Sequence, residues 1–561
     1  MSLSRSRQES PYLIKPIALA LGVLMASAVV MPSSADEDRS GNGRQASGEI
    51  GPMKAHQRAN EAYRVRQEAA VRNLNVRLPQ HPNNRDESRF SDRINSYTKG
   101  LPHDANGVVL SSAYNSLYRA LSTGRNADFE AIPLGTPGGS RLRNPQSAYA
   151  YLLEGLDSHS FTMPAAPEFS SAWQAADAVE VLWMALTRDV PFNQYASNPL
   201  ISDAVSDMNR YSEYRGPRVG GTVTADSLFR GVGVGETAGP YISQFLMLQV
   251  PAGAQRVDQK YNVPVAGNDH MTQWSEWLRI QNGGSPSGVT TEVTDPTARY
   301  LRNGRDLGRY VFRDYVFQAY ANTALILNSF GSGAISESNP YIGSVTQAEG
   351  PLFGVNHALD VLSRVSMSSQ HVAWYQKWLV HRRARPETFF ARVHKRMTDP
   401  TTPYPVNAEL LASPALTATF NKYGTYLLPM GTANGSPLHP SYPAGHATMA
   451  GAAVTVLKAF YKGSFVIPAP KVTNADGTAL VTYIGPTLTV EGELNKLASN
   501  ISLGRDIAGV HYRTDGDYGI VLGEELAITV LQDLVNTYNE ENVSFRFNRF
   551  DGRPVTISKT N

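Results

Sequence analysis

The sequence predicts a mainly α fold, a helical-bundle core with a few short β-hairpins. In four long stretches, apolar residues recur at three- and four-residue spacing over at least three turns, which is the pattern of helices that bury one face. These stretches are 169–189, 357–384, 446–462 and 519–539. Two stretches with strand character, 479–492 and 544–558, are short enough to be hairpins, and the second contains an Asp551-Gly552 turn.

Segments rich in glycine, proline and asparagine predict long loops at 215–240, 280–300 and 330–352. The composition, 42% hydrophobic and 18% charged, is that of a globular protein, and 561 residues are enough to bury a large core. The chain has no cysteine, which excludes disulfides, thiolate metal sites, thiol catalysis and iron–sulfur chemistry.

The first 35 residues have the features of a secretory signal peptide. Arg5, Arg7 and Lys15 precede an apolar run at 17–30, and a small-x-small cleavage pattern ends at Ala35. The run is too short for a comfortable membrane span, although a signal anchor is the alternative interpretation. We therefore expect an exported protein with no membrane span in its mature chain.

Cleavage after residue 35 would remove three basic groups and one acidic group, so the formal net charge falls from +2 to 0. A neutral mature chain argues against nucleic acid or an anionic membrane as a partner. Residues 36–70, polar at first, are expected to form a mobile N-terminal lead. Residues 71–561 are expected to form a single large helical domain. Its unusual residues concentrate at about 357–540, in three stretches.

The first stretch is "KWLVHRRARP", with five basic groups in ten residues. On a continuous helix Lys377 and Arg385 would differ by about 80° and about 12 Å along the axis. Because Pro386 disfavours the α conformation at the residue before it, the helix is expected to end at Ala384. Arg385 could then fold back so that both cations reach one oxyanion. The alternative is a solvated basic helix end, which the helix dipole favours.

The second stretch is "LHPSYPAGHATMAGAA", residues 438–453. Pro443 suits the first position of a helix, which would place Gly445 and His446 in the first turn. Backbone N–H groups there have no partner within the helix and can bind an anion, beside which His446 could donate or accept a proton. A purely structural histidine is the alternative.

The third stretch is "LGRDIAGVHYRTDGDYG", residues 503–519. Gly504 and Gly509 are expected to break up the interval between Arg505 and His511. His511 and Asp515 are four apart and would share a face if the chain is helical there. A carboxylate that bonds a histidine fixes its tautomer and raises its basicity.

Together the stretches contain K-x7-R-P, then P-A-G-H, then R-x5-H-x3-D. Three cations, a helix N-terminus, an acid/base histidine and an oriented histidine predict a site for a tetrahedral or trigonal-bipyramidal oxyanion. This order resembles the vanadium-dependent haloperoxidases and their relatives, the acid phosphatases of the PAP2 superfamily. Within that group it is most similar to the bromoperoxidases of algae and cyanobacteria, and the resemblance extends to "VLWMALTRDVPFNQY" at 181–195.

The resemblance implies a role for each site residue. His511 would be the axial ligand of vanadium, with Asp515 behind it, and His446 would be the acid/base group. His439, seven residues before His446, would lie near the halide and favour bromide. Lys377 would also withdraw charge during the reaction. The groups that would bind the equatorial vanadate oxygens are Lys377, Arg385, Arg505 and the backbone N–H of Gly445.

One position departs from the family pattern, since many members have serine where this chain has Ala444. The bond from that hydroxyl to an equatorial oxygen is then missing, or Ser441 or a water replaces it. A charge-assisted hydrogen bond contributes roughly 1.5–3 kcal/mol, so weaker vanadate binding or altered reactivity is expected, and not the loss of the site.

The resemblance implies a vanadate-dependent bromoperoxidase that oxidises bromide or iodide with hydrogen peroxide and halogenates small organic acceptors. It also implies a homo-oligomer and leaves room for structural calcium, for which no ligand loop is specific enough to name. Two alternatives stay open. One is an acid phosphatase in which His511 forms a phosphohistidine. The other is a non-catalytic exported oligomer with a decayed site.

Overall fold

Helices dominate the structure, a computed structural model that describes residues 55–286 and 292–560. The chain divides into a short unit that ends at Tyr63 and a main unit, Arg64–Asn561, which contains the helical core. Among the described residues, no helix combines the length and apolar character that crossing a membrane requires.

In chain order, the helices are α1 (Ala55–Asn75), α2 (Asp86–Arg89), α3 (Ser111–Thr123), α4 (Asn126–Glu130), α5 (Ala172–Thr187), α6 (Pro199–Met208), α7 (Trp274–Gln281), α8 (Gly304–Arg313), α9 (Gln318–Ser329), α10 (Val355–Tyr375), α11 (Pro386–Thr398), α12 (Ala408–Leu411), α13 (Pro414–Tyr423), α14 (Gly445–Phe460), α15 (Val490–Ile507) and α16 (Arg513–Val535). Short 3-10 turns lie at Pro145–Tyr149, Ser158–Ser160, Phe192–Ser197, Gln244–Leu246 and Ser332–Ala334.

Helix α14 is the centre of the core. Every residue of α14 except His446 is buried, as expected of a helix that is apolar all round. It packs against α10, α15 and α16, and α15 packs in turn against α8. The site residues therefore lie at the ends of helices that cross in the middle of the molecule.

Glycines allow α14 and α16 to approach closely. A Cβ on Gly451 would lie 2.0 Å from the carbonyl oxygen of Ile520, and one on Gly523 would lie 1.8 Å from that of Thr448. No real Cβ tolerates such distances, so both positions require glycine. The small residues that follow His446 in the sequence thus serve the packing of two helices.

The four long helices predicted from periodicity are all present, as α5, α10, α14 and α16. Their boundaries differ most in two cases. Helix α16 begins at Arg513, ahead of the predicted 519, because the Asp515 carboxylate accepts the N–H of Tyr512 and so satisfies a donor at the helix start. The predicted helix 357–384 ends earlier than expected, in a turn that is described below with the predicted oxyanion site.

One of the two predicted hairpins is confirmed. Strands β5 (Ser544–Asn548) and β6 (Pro554–Ser558) pair in antiparallel register around the predicted turn. The hairpin predicted within 479–492 is wrong, because β4 (Leu480–Thr482) pairs with the earlier β3 (Lys471–Thr473). The Thr489 side chain caps α15 and makes the following residues helical. An unpredicted hairpin joins β1 (Val250–Ala252) to β2 (Gln255–Val257).

Outside these elements the structure agrees with the predicted loops at 215–240 and 330–352, apart from one short 3-10 turn in the second. The described part of 280–300 is irregular after Gln281. Of the expected mobile lead, residues 55–70 lie in helix α1, and the mobility of the lead stays a prediction. That segment is rich in alanine, arginine and glutamate, which favour helix. The expected signal peptide, residues 1–35, lies outside the described residues.

Candidate oxyanion site

Lys377 lies in a π-helical turn, Gln376–His381, that continues α10. The helix ends at His381, three residues before the predicted Ala384, because Arg382 turns into the left-handed region at φ 43°. Arg385 is extended, as Pro386 requires, with ψ at 157°. Pro386 also begins a new helix, α11, which the sequence pattern did not predict.

Gly445 and His446 are the first two residues of α14, as expected, but the helix begins two residues later than predicted from Pro443. Ala444 is the N-cap and has no side chain that could cap the helix. Its N–H donates to the carbonyl oxygen of Asp515, at 2.8 Å. A Cβ on Gly445 would lie 3.3 Å from the ring of Trp374, so the glycine lets that ring pack closely against the start of the helix.

Arg505 occupies the last turn of α15. The prediction that Gly504 interrupts this segment is wrong, since the helix runs through Gly504, whose missing side chain lets Leu307 and Val311 of α8 pack closely. Gly509, with φ at 85°, follows the helix and turns the chain. His511 lies two residues before α16, so it does not share a helix face with Asp515, yet the two side chains meet.

Arg385 joins the two predicted histidines. Its Nη1 donates to His511 Nε2 at 2.9 Å and its Nη2 to His439 Nδ1 at 3.0 Å. Its Nε donates to the carbonyl oxygen of His439 at 2.9 Å. Because arginine only donates, Nε2 of His511 accepts this bond and its proton resides on Nδ1. The Nε2 lone pair therefore faces the cations, as a ligand of an oxyanion's central atom must.

Asp515 fixes that tautomer. Its Oδ2 accepts from His511 Nδ1 at 2.9 Å, from Ser441 Oγ at 2.5 Å and from the N–H of Tyr512 at 3.1 Å. Its Oδ1 accepts from Arg383 Nη1 at 2.8 Å. Since the Ser441 hydroxyl donates to Asp515, it does not replace the serine hydroxyl that is missing at position 444.

The other two cations are held by carbonyl groups. Lys377 Nζ donates to the carbonyl oxygens of Pro440 and Ser441, at 2.7 and 2.8 Å. Arg505 Nη1 donates to the carbonyl oxygen of Val311 at 2.7 Å, and its buried Nε has no hydrogen-bond partner among the described residues. Burial lowers the pKa of Arg505 to about 10, and burial together with Arg385 lowers the pKa of Lys377.

Positive charge accumulates here without a matching carboxylate. Within the described ranges, Lys377, Arg385 and Arg505 have no carboxylate oxygen within 4 Å, although all three are buried. Burying unpaired cations costs several kcal/mol each, so the arrangement requires a compensating anion. Burial, followed by the charges of Arg385 and Lys377, also lowers the pKa of His511 well below its usual value, so this histidine is neutral.

His446 and His439 have different environments. His446 is 23% exposed and its Nε2 lies 3.2 Å from Asp314 Oδ1. Burial raises the pKa of Asp314, but the His446 ring and Arg505 together outweigh that effect and hold the pKa below its usual value. His439 is buried, with its ring 4.6 Å from that of Trp374. Burial and the nearby Arg385 lower its pKa well below 6.5.

The structure thus brings Lys377, Arg385, Gly445, Arg505 and His511 to one site, with His439 and His446 at its edge. Four contacts of these residues were not predicted from the sequence. They are made by Trp374, by Asp314, by Arg383 and by Ser441, which donates to Asp515. Arg383 was visible only as one of several charges in the basic run, and Asp314 had no local signal at all. Their roles depend on contacts between segments far apart in the chain.

Comparisons with known proteins agree with this arrangement. The family described as the VCPO second helical-bundle domain matches residues 359–540, the segment that contains the site. The chain is 35% identical to a vanadium-dependent bromoperoxidase of Ascophyllum nodosum, over 90% of this chain and 93% of the relative. It is 30% identical to a vanadium-dependent bromoperoxidase of Corallina pilulifera, over 85% of this chain and 92% of the relative.

Among solved structures, a homohexameric second vanadate-dependent bromoperoxidase from Ascophyllum nodosum superposes with a TM-score of 0.86 and 30% identity, covering 92% of this chain and 93% of that one. The fold and the cation-lined site define a helical haloperoxidase. The sequence relationships place the chain more closely: it belongs to the vanadium-dependent bromoperoxidase family.

Proposed function

We propose that the protein is a vanadate-dependent bromoperoxidase that oxidises bromide or iodide with hydrogen peroxide and thereby halogenates small organic acceptors. The observation that carries this proposal is the cluster of buried cations without carboxylate partners around the neutral His511. It is supported by relatives that are named for the same activity and match nearly the whole chain.

The residues present fit vanadate. A tetrahedral oxyanion needs several donors around its oxygens and one lone pair directed at its central atom. Lys377, Arg385, Arg505 and the N–H of Gly445 can supply the donors, and the unpartnered Nε of Arg505 is one that a bound oxygen would satisfy. Nε2 of His511 would supply the lone pair, which in this structure accepts from Arg385 Nη1. In the absence of a serine at 444, the cations and Gly445 would hold the anion.

When bound, vanadate supplies a Lewis-acidic centre that activates hydrogen peroxide toward a halide without a change in its own oxidation state. The protein residues would orient the cofactor and set the charge around it. His511 is oriented through Asp515, and its Nδ1 proton stays on the Asp515 side. Lys377, buried and held by two carbonyl groups, would withdraw negative charge from the vanadate oxygens.

His446 is suited to move protons. Its Nε2 is bonded to Asp314, which leaves Nδ1 to accept a proton from an incoming peroxide and to return it later. Partial exposure gives this ring access to solvent. His439, bonded to Arg385 and packed on Trp374, would face the halide and favour bromide.

The acid phosphatase alternative uses the same residues, and the relatives do not favour it. Two assays on one preparation separate the functions: bromide oxidation by hydrogen peroxide, and hydrolysis of a phosphomonoester, each with and without added orthovanadate. We expect bromide oxidation only with vanadate, and slower reconstitution of apoenzyme that has been preincubated with phosphate. Phosphomonoester hydrolysis without bromide oxidation would overturn the proposal, and inactivity in both assays would indicate a decayed site.

We further propose that the protein is exported and works as a homo-oligomer. The N-terminal 35 residues support export, and the homohexameric relative supports self-association. Structural calcium is a further expectation of the resemblance. The N-terminal sequence of protein recovered outside the cell, the solution mass by light scattering, and the metal content after dialysis test these three points. A retained leader, a monomer or the absence of calcium would refute each in turn.

A further inference from the structure

The site opens to solvent beside His446. Lys377, Arg385, Arg505 and His511 are buried, whereas the His446 side chain is 23% exposed and is the one residue of α14 that is not buried. A small product formed at the site can therefore reach solvent past this histidine and its partner, Asp314.

Tyr315 lies at this opening. It directly follows Asp314, and Cα atoms of neighbouring residues are about 3.8 Å apart. Its side chain is 81% exposed. The backbone there is fixed, because the N–H of Gln318 donates to the carbonyl oxygen of Tyr315 at 2.8 Å. Other tyrosines near the site, Tyr442 and Tyr512, are buried.

Hypobromous acid also oxidises thioethers and indoles, but a phenol retains the bromine in a stable C–Br bond, and this chain has no cysteine to consume the reagent. We propose that Tyr315 is a site of bromination by the enzyme's own product. The inference rests on the proposed function, which supplies the hypobromous acid. A ring carbon ortho to the hydroxyl forms a C–Br bond as the O–Br bond breaks, and the ring loses a proton to the departing hydroxide, giving water. The ring is oxidised by two electrons and the bromine is reduced.

The chain contains a matched control for position. Tyr151 is 85% exposed, so exposure alone would make the two phenols similar. The segment that follows it is bonded to the far end of α16, where the N–H of Gly155 donates to Asp533 at 2.8 Å. Asp533 lies eighteen residues beyond Asp515, about 27 Å along the helix axis. Product must diffuse across the molecule to reach Tyr151, whereas Tyr315 meets it on release.

The test uses vanadate-loaded protein turning over bromide with limiting hydrogen peroxide, in the presence of a free phenol that serves as scavenger and reporter. Mass spectrometry of proteolytic fragments localises bromine. A parallel sample receives hypobromous acid from outside without turnover, which measures the reactivity of each tyrosine in the assembled protein. We expect the ratio of Tyr315 to Tyr151 bromination to be severalfold higher during turnover than with added reagent.

Equal ratios in the two samples would overturn the inference, as would failure of added reagent to modify Tyr315, or modification of Trp374 without Tyr315. If the free phenol itself is not brominated, the proposed function fails and the inference fails with it. If the phenol is brominated and the ratios are equal, the inference alone is wrong. In Tyr315→Phe that bromine should disappear, while Tyr151 modification and the initial rate of phenol bromination stay unchanged.

Discussion

His511 and His446 show how two residues of one type acquire different roles from their surroundings. His511 is fully buried among cations, which keep it neutral, and Asp515 holds the proton on Nδ1. His446 is partly exposed and is paired with a carboxylate that is itself held ionised. The first environment suits a ligand with a permanent lone pair, and the second suits a group that exchanges protons with solvent.

Replacing each histidine should therefore have a different effect. In His511→Ala the oxyanion would lose the bond to vanadium that we assign to this histidine, so we expect vanadium to be lost on dialysis and bromination to cease. In His446→Ala vanadium should largely remain, with turnover reduced by about 10²–10⁴-fold, the range of one acid/base group. Vanadium content and bromination rate of both variants decide the matter. Loss of vanadium from His446→Ala but not from His511→Ala would reverse the two roles.

Arg383 positions His511 through Asp515, which bonds to both residues. It bonds Asp515 at 2.8 Å and is itself held by Gln174 at 2.7 Å. Lysine keeps the charge but cannot bond both partners in this geometry, so Arg383→Lys should weaken vanadate binding by about 10–100-fold, as is usual for groups that orient a ligand. Titration of apoenzyme with vanadate measures this.

The neighbouring Arg382 provides the control for that variant. Its guanidinium pairs with Glu87 and donates to the carbonyl oxygens of Trp378 and Leu379, all of them away from the oxyanion site. Arg382→Lys removes the same chemical group from the adjacent position, so its vanadate affinity should stay near that of the wild type. Equal losses in both variants would show that Arg383 acts only through general stability.

At the level of elements, the sequence predicted which segments are helical better than where they stop. Periodicity identified α5, α10, α14 and α16 because each buries an apolar face. It could not reveal the π-helical turn that carries Lys377, since the apolar pattern continues unbroken into the basic run. Nor could it show that Gly504 lies inside a helix, because that glycine serves a contact with α8, far away in the chain.

The same limit applies to the site. The charged and histidine residues could be chosen from the sequence because three motifs in a fixed order resemble one family. Asp314 and the role of Arg383 could not, since each follows from tertiary contacts over more than 100 residues. What a residue bonds to depends on the fold, whereas what it is able to bond depends on its type alone.

The packing around two glycines, one at the crossing of α14 and α16 and one in α8, predicts opposite effects of substitution. Gly523→Ala would bring a Cβ within 1.8 Å of the Thr448 carbonyl oxygen, and such overpacking costs typically about 1–3 kcal/mol. Gly308→Ala in α8 meets atoms no closer than 3.5 Å and should stabilise its helix by about 0.5–1 kcal/mol. Denaturant unfolding of both apoproteins tests the opposite signs. A neutral Gly523→Ala would mean that the helices can separate at little cost.

At the scale of the whole molecule, buried ionisable groups make stability depend on pH in two opposing ways. Burial lowers the pKa of His103 and His357 to about 4. As pH falls below 6.5, the unfolded chain therefore binds protons at these histidines that the folded protein does not bind, and the folded protein loses stability. Burial raises the pKa of Asp177 and Glu236 to about 7, so the folded protein retains protons that the unfolded chain releases. Their contribution is present at low pH and is lost as pH rises through 7.

Glu236→Gln should separate these two contributions. Glutamine resembles the protonated carboxyl, and Glu236 is buried where Ser499 and the N–H of Gly233 donate to it. The variant has no proton to lose at this position, whereas the wild type loses stability as pH rises from 4.5 to 7, because its unfolded chain ionises first. Relative to wild type, Glu236→Gln should therefore become more stable as pH rises over this range, and the difference in the free energy of unfolding should level off above it. Glu349→Gln, at an exposed position, controls for the loss of one formal charge. A difference between Glu236→Gln and wild type that does not vary with pH would show that Glu236 is ionised in the folded protein throughout this range.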